Sequence, residues 1–369
     1  AVNAVRGSTG TTSVEVVNAV LDASDKATDG TANGNVKIKA ETKTETYSWA
    51  IGMESVAEID IEKSEITGDN VNIFASASNT GVVGQDPENV TEEAVAKAMG
   101  AAKAQGESSN IGAMLSAVAD QIATDKLGEI RTIATYTDVG ARAEVHIKES
   151  DIDAIGGTKV NDSGHGYANV KTDARSDIQT TGLGLFNFNF TFGASSLDSK
   201  IIIEDSNLSA AKDVKLDATG INSVGLSYLE VGKVLPIGAG ATYAELNSDV
   251  SVNVDEGSLV KAKEDFLVSA NSTRSLSAAV VSGSDKNKLG AGVAIGASNT
   301  KADAIVKSDV YAGGDISVNA LNTIGKDANG HYTPDSVSAE SMSGNNFVGK
   351  ALIDGIGVLV KKIKNRHTA

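Results

Sequence analysis

The stretch that decides the fold runs from Ala302 to Thr323, ADAIVKSDVYAGGDISVNALNT. Read backwards along the chain, the same pattern returns as SVNVDEGSLVKAKEDFLVSANST (Ser251–Thr273) and as SKIIIEDSNLSAAKDVKLDATGINS (Ser199–Ser223). It returns again as AEVHIKESDIDAIGG (Ala143–Gly157) and as AEIDIEKSEITGDNVNIFASASNT (Ala57–Thr80), with a weaker copy over Leu21–Thr46. Aligned on the turn serines Ser64, Ser150, Ser206, Ser258 and Ser308, the copies are 86, 56, 52 and 50 residues apart. A fixed period of this length marks a stacked repeat rather than a set of independent domains.

Within a unit the apolar residues alternate, as Ile59 with Ile61 and Val71 with Ile73, and the alternating runs are broken by Gly, Asn, Asp and Ser. Period two over a few residues is a half-buried strand closed by tight turns. Such short strands are not stable in pairs, so successive units must stack and share a core. Parallel stacking of each strand on its counterpart also satisfies the backbone polar groups. These arguments predict an all-β fold, a parallel β-helix (β-solenoid). At two coils per unit the shaft would be on the order of 60–70 Å long. A β-propeller is weaker because its aromatic blade signatures are missing, and a sandwich leaves the repeat unexplained.

Composition agrees. The 369 residues include 38 Gly, 3 Pro, 7 Phe and 1 Trp, so Val, Ile, Leu and Ala supply the apolar volume, as a thin layered core requires. There is no Cys, which excludes disulfides and Cys-based zinc sites. The net charge is −16, and because residues 350–369 carry +4, the rest carries −20. That charge argues against nucleic acid as a partner. No apolar run approaches the roughly 20 residues that span a bilayer. The chain starts Ala-Val-Asn without a Met, which reads as a fragment or processed product.

Two segments depart from the repeat and divide the chain into 1–85 (coils), 86–128 (insertion), 129–347 (coils) and 348–369 (tail). In the insertion Asn89 and Glu92 have capping-box spacing, Glu92 and Glu93 suit a first helical turn, and Ile111, Met114, Leu115, Val118 and Ile122 fall on one helical face. The spacing predicts a helical hairpin, either packed as decoration or presented as a recognition element through Glu92, Glu93, Met99, Lys103 and Met114. The tail combines Leu352, Ile353, Ile356, Leu359, Val360 and Ile363 with Lys361, Lys362, Lys364 and Arg366. It reads as an end cap, as the beginning of the next unit, or as a basic amphipathic helix touching an anionic membrane.

Candidate chemistry is sparse. His146, His165, His331 and His367 are scattered, with no ligand-type partner nearby, and His146 alternates with Val145 and Ile147 on the opposite side of its strand. Acids recur near the turn serines: Asp60, Glu62, Glu149, Asp151, Asp153, Glu204, Asp205, Asp255 and Glu256. Stacked carboxylates suggest calcium or polysaccharide chemistry, but Lys63, Lys148 and Lys307 interleave with them as on a charge-balanced edge, and Gly313-Gly314-Asp315 matches the calcium nonapeptide only in part. Phe186, Phe188, Phe190 and Phe192 alternate in LFNFNFTFGAS (Leu185–Ser195). Aligning Gly193-Ala194-Ser195 with Gly296-Ala297-Ser298 puts Phe190 and Phe192 where Val293 and Ile295 sit, which predicts an enlarged core layer. No phosphate loop, nucleophile elbow or HExxH is present, so neither an enzyme nor a cofactor is expected.

The repeat at Ala302–Thr323, with the small-residue connector AGVAIGAS (Ala291–Ser298), resembles the haemagglutinin-type repeats of large Gram-negative exoproteins, the filamentous adhesins and leukotoxin-like proteins. The resemblance covers roughly residues 20–80 and 140–323. It implies a right-handed β-helix, passage through an outer-membrane secretion partner, display at the cell surface or release, and a host or bacterial cell-surface receptor, protein or glycan, as the ligand. The functional expectation is an adhesive shaft segment. A cytotoxic exoprotein and a polysaccharide-acting β-helix enzyme are the alternatives.

Overall fold

The computed structural model describes residues 4–6, 8–24, 34–46, 49–83, 134–156, 166–184, 188–232, 237–284, 289–325 and 335–343. Every regular element among them is a strand, and the strands wind through six coils. Coil one is β2 (Thr9–Val17), β3 (Val20–Asp22) and β4 (Val36–Thr46), preceded by β1 (Ala4–Arg6). After β5 (Trp49–Ile51), coil two is β6 (Met53–Glu62), β7 (Glu65–Gly68) and β8 (Val71–Val83). Coil three is β9 (Ala134–Lys148), β10 (Asp151–Ala154) and β11 (Ala168–Gly184). Coil four is β12 (Phe188–Glu204), β13 (Asn207–Ala210) and β14 (Val214–Gly232), and coil five is β15 (Ile237–Val254), β16 (Leu259–Ala262) and β17 (Phe266–Ser284). Coil six is β18 (Leu289–Val306), β19 (Asp309–Ala312) and β20 (Ile316–Ile324), followed by β21 (Ser336–Ser343).

Corresponding strands of successive coils pair in parallel, giving three stacked sheets, β2-β6-β9-β12-β15-β18, β3-β7-β10-β13-β16-β19 and β4-β8-β11-β14-β17-β20. The architecture is the predicted parallel β-helix, but the coil count per unit is corrected. Each repeat unit closes one coil, because its two alternating segments are consecutive walls of the same turn. Six rungs at about 4.8 Å per step span about 24 Å between the end strands, well short of the length reached by counting two coils per unit. The predicted helical hairpin over 86–128 lies outside the described residues, as does the tail, and no described residue is helical.

Alternation does the folding. On β12, Leu197, Ser199, Ile201 and Ile203 are buried while Asp198, Lys200 and Ile202 between them are not. Stacking places Ile201 between Val145 and Val252, and Ile203 between Ile147 and Val254. Each such side chain withdrawn from water contributes about 1.5–3 kcal/mol, and β-branched residues suit the flat ladder. The long first and third walls run on past this main core and enclose a second, smaller one of Met53, Val139, Ile178, Val224, Leu226, Ala244, Leu246, Leu276 and Ala278. Between the two lies a polar waist. There the buried Asn222 amide donates to the Asn247 carbonyl (2.7 Å) and the Ser248 hydroxyl (3.0 Å), and Asn79 donates to the carbonyls of Met53 and Gly140, both at 3.0 Å. Gly193 sits beside this waist because a Cβ there would lie 2.7 Å from Leu226.

The repeated serine has a specific task at the turn into the short second wall. Ser64 N–H donates to Ser150 Oγ (3.1 Å), Ser150 N–H to Ser206 Oγ (3.1 Å) and Ser206 N–H to Ser258 Oγ (3.2 Å). Each hydroxyl donates in turn to the carbonyl two residues back in coils two to four, at 2.7–2.8 Å. The residue before the serine turns the chain with positive φ, 48° at Lys63, 47° at Glu149 and 47° at Asp205. In coil one Ala19 holds this place and its N–H donates to Ser64 Oγ at 3.1 Å. Up to Ser258 the serine is therefore a staple between coils, which accounts for its recurrence over coils two to five.

Candidate functional site

The described feature that the folding argument does not consume is an apolar strip on the outside of the first wall. The register stacks Phe190, Ala241 and Val293 in one column and Phe192, Tyr243 and Ile295 in the next. The alignment that equated Phe190 and Phe192 with Val293 and Ile295 is thus right, but the face is not. Thr191 between them is fully buried, whereas Phe190 is 45% exposed, Val293 53% and Ile295 50%. The enlarged core layer is corrected to an outward strip. The cause is the small inner row Thr191, Gly193 and Ser195, which the narrow second core demands. Phe188 extends the row in backbone register with Ala239, and Phe186 lies outside the described residues.

Phe192 and Tyr243 stack face to face, 5.3 Å between centroids and 5° from coplanar. Tyr243 then donates its hydroxyl to Glu245 (3.2 Å), which also accepts from the Asn247 amide at 2.9 Å. The hydrogen bond to Glu245 raises the Tyr243 pKa above the usual phenol value, helped by the carboxylate charge. Partial burial raises the Asp138 carboxyl, and the Glu245 charge adds to it. Phe74, by contrast, is flanked by the ammonium groups of Lys39 and Lys171 at 5.7 and 6.0 Å from its ring. The strip combines rigid rings, aliphatic area and a carboxylate–amide rim, a surface suited to holding an apolar or sugar-like face from solution.

Beyond the strip the same wall carries interleaved charges. Arg142 pairs with Glu58 and, at 3.7 Å, with Glu144. Lys200 lies 3.2 Å from Asp198 and 3.1 Å from Asp249. Burial disfavours its ammonium, yet the two carboxylates outweigh this and raise its pKa. Lys301, hydrogen-bonded to Asp303, is raised as well. His146 is on this outward side as the alternation predicts, 3.2 Å from Glu204 and 3.9 Å from Asp60. Solvent screens exposed pairs of this kind, so they keep the wall solvated more than they hold it together.

The acids at the serine turns stack along one edge, and there Lys63 lies 2.9 Å from Glu62 and 4.0 Å from Glu149. On the second wall Asp151 and Asp153 are engaged by Asn207 and Ser209 of the next coil. Among the described residues no group of three or more acids or histidines is arranged to hold a metal. Gly313 and Gly314 press against the backbone of Lys263 and the carboxylate of Asp265, and Asp315 N–H donates to Asp265 at 2.8 Å, so this stretch serves a close turn. Glu92, Glu93, Met99, Lys103 and Met114 lie outside the described residues, as do His165, His331 and His367. Comparison with protein-family profiles, with curated proteins and with solved structures finds no match to this chain.

Proposed function

We propose that this chain is a shaft segment of a secreted bacterial surface adhesin of the haemagglutinin-repeat type, whose outer wall meets a receptor on host or neighbouring cells. The observation that carries the reading is the outward strip of Phe190, Phe192, Tyr243, Val293 and Ile295, with Phe190, Val293 and Ile295 exposed, which crosses three successive coils. A β-helix that needed only to act as a spacer gains nothing from outward aromatics, which cost solubility. The acidic interleaved charges elsewhere on the wall keep the rest of the surface from sticking. The receptor is a protein or glycan with an apolar face, and the outer-membrane secretion partner belongs to the parent protein.

The test is saturable binding of the labelled chain to epithelial cells and leukocytes, with leakage of a trapped dye read in the same sample. Binding without leakage, lost in a Phe190→Ser/Ile295→Ser double variant, supports the adhesive reading. Leakage would replace it with a membrane-acting one. Binding that survives the double variant would move the contact off the strip.

A further inference from the structure

The polar waist holds two buried groups that the described side chains do not satisfy. Ser55 on the first wall and Asn79 on the third both belong to coil two, and both are fully buried. Ser55 Oγ and Asn79 Oδ1 have no hydrogen-bond partner among the described residues. The hydroxyl can donate and the amide oxygen accepts, so a direct contact would satisfy both. Buried polar groups in folded proteins pair with protein or with ordered water, and this donor and acceptor need a third participant between them.

Register shows where the two converge. Ser55, Ser248 and Thr300 lie in one inward column of the first wall. Thr44, Asn79, Asn222 and Arg274 lie in one column of the third. In the later coils these columns meet, always from one coil to the next. The Asn222 amide of coil four reaches Ser248 Oγ of coil five at 3.0 Å, and the Arg274 guanidinium of coil five reaches Thr300 Oγ1 of coil six at 3.0 Å. The same step from coil one to coil two sets Thr44 opposite Ser55. Threonine is shorter than asparagine or arginine, and Ser55 Oγ is left without a partner. Below Ser55 in its column is Gly10, where even a Cβ would lie 3.3 Å from Thr44 Oγ1, so no side chain fills the space beside that hydroxyl.

Asn79 turns its oxygen toward the same gap. Its amide nitrogen is held by the Met53 and Gly140 carbonyls, as the Asn222 nitrogen is held by those of Ser195 (3.3 Å) and Asn247 (2.7 Å), the register counterparts. These contacts fix which end of each amide is nitrogen. The Asn222 oxygen accepts from the Ser195 hydroxyl, which is also 2.6 Å from Ser176 Oγ of coil three, so this oxygen lies on the side of the preceding coil. By the same lodging the Asn79 oxygen lies on the side of coil one, where Met53 stands in the place of Ser195 and offers no hydroxyl.

We propose that one internal water occupies the waist between coils one and two, accepting from the Ser55 hydroxyl and donating to Asn79 Oδ1 and Thr44 Oγ1. Three hydrogen bonds are usual for a buried water. The water stands where Asn222 and Arg274 place a side-chain nitrogen in the later coils, and it carries the polar line of the waist through to coil one.

Thr44→Asn in the full chain tests the site by displacement. The longer side chain is expected to reach Ser55 as Asn222 reaches Ser248, and to expel the water. Oxygen-17 magnetic relaxation dispersion counts long-lived internal waters, and its amplitude should fall by the equivalent of one molecule while the urea midpoint holds or rises. An unchanged amplitude overturns the proposal, as does a lowered midpoint with the amplitude intact, which would mean that the gap was already filled by protein. The unmodified chain gives a second reading that no folding defect can obscure. Its Asn79 side-chain amide protons should show an Overhauser effect to water with the sign of a slowly exchanging molecule. A null effect there, or one with the sign of surface hydration, refutes the buried water.

Discussion

Ser150→Ala and Ser308→Ala remove the same atom from the same place in the repeat, and the structure assigns them different consequences. Ser150 Oγ accepts the Ser64 N–H at 3.1 Å and donates to the Lys148 carbonyl at 2.7 Å. The Lys148 carbonyl keeps a second donor, the Lys63 N–H at 3.1 Å, so its loss is small. The Ser64 N–H is buried and has no replacement, and leaving it unmade costs about 1–3 kcal/mol. Ser308 Oγ is buried without a hydrogen-bond partner, so its removal relieves an unpaired hydroxyl. The expected change there is within about 0.5 kcal/mol, of either sign. Urea unfolding followed by far-ultraviolet circular dichroism measures both. Because stacked repeats can open coil by coil, amide exchange should accompany it, and the protection lost in Ser150→Ala should centre on the boundary of coils two and three. Equal destabilisation by the two variants would falsify the staple as the reason for the serine.

Ile201→Ala, in the main core between Val145 and Val252, is expected to cost about 2–5 kcal/mol, read as a lowered urea midpoint at unchanged slope. Phe190→Ser should leave that midpoint nearly unchanged while weakening cell binding, and a large loss of stability instead would return Phe190 to the core. Asp138→Asn should stabilise the fold at neutral pH. The folded-state pKa of Asp138 lies above the ordinary carboxyl value of 3.8, so the stability that goes with its protonation is present below that value and lost as pH rises through the folded pKa. The advantage of the Asn variant should therefore shrink on acidification through that window, and a pH-independent difference would contradict the assignment.

The period of the repeat was legible because each unit pairs with the next, so a serine that staples one coil to another recurs at the coil length. Separations of 86, 56 and 52 residues in the sequence are the same separations across which Ser64, Ser150, Ser206 and Ser258 hydrogen-bond. The number of coils per unit was less legible. Alternating segments look alike whether they are two walls of one coil or the same wall of two coils, and only the pairing distinguishes them. The weak first copy was hard to see for a related reason: coil one has Ala19 where the others have serine, and its N–H donates to Ser64 Oγ in the place where the later coils carry the repeat signature.

The strip of Phe190 and Phe192 shows why residue type misleads where parity does not. Counting back by twos from the buried Ile203 gives Ile201, Ser199, Leu197, Ser195, Gly193 and Thr191, all buried. The same count from the partly exposed Ile202 gives Lys200 and Asp198 and arrives at Phe192 and Phe190. A strand with no bulge cannot exchange its faces midway, because a slip by one residue would turn every side chain over. The large apolar residues therefore had to point outward once Ile201 and Ile203 were taken as core. Their hydrophobicity argued the other way, and in a β-helix that conflict is informative: a wall that places Thr, Gly and Ser inside and Phe outside is narrow at that point by construction. The aromatic area there is surplus to folding, and surplus apolar area on the outer wall is where a binding partner is best sought.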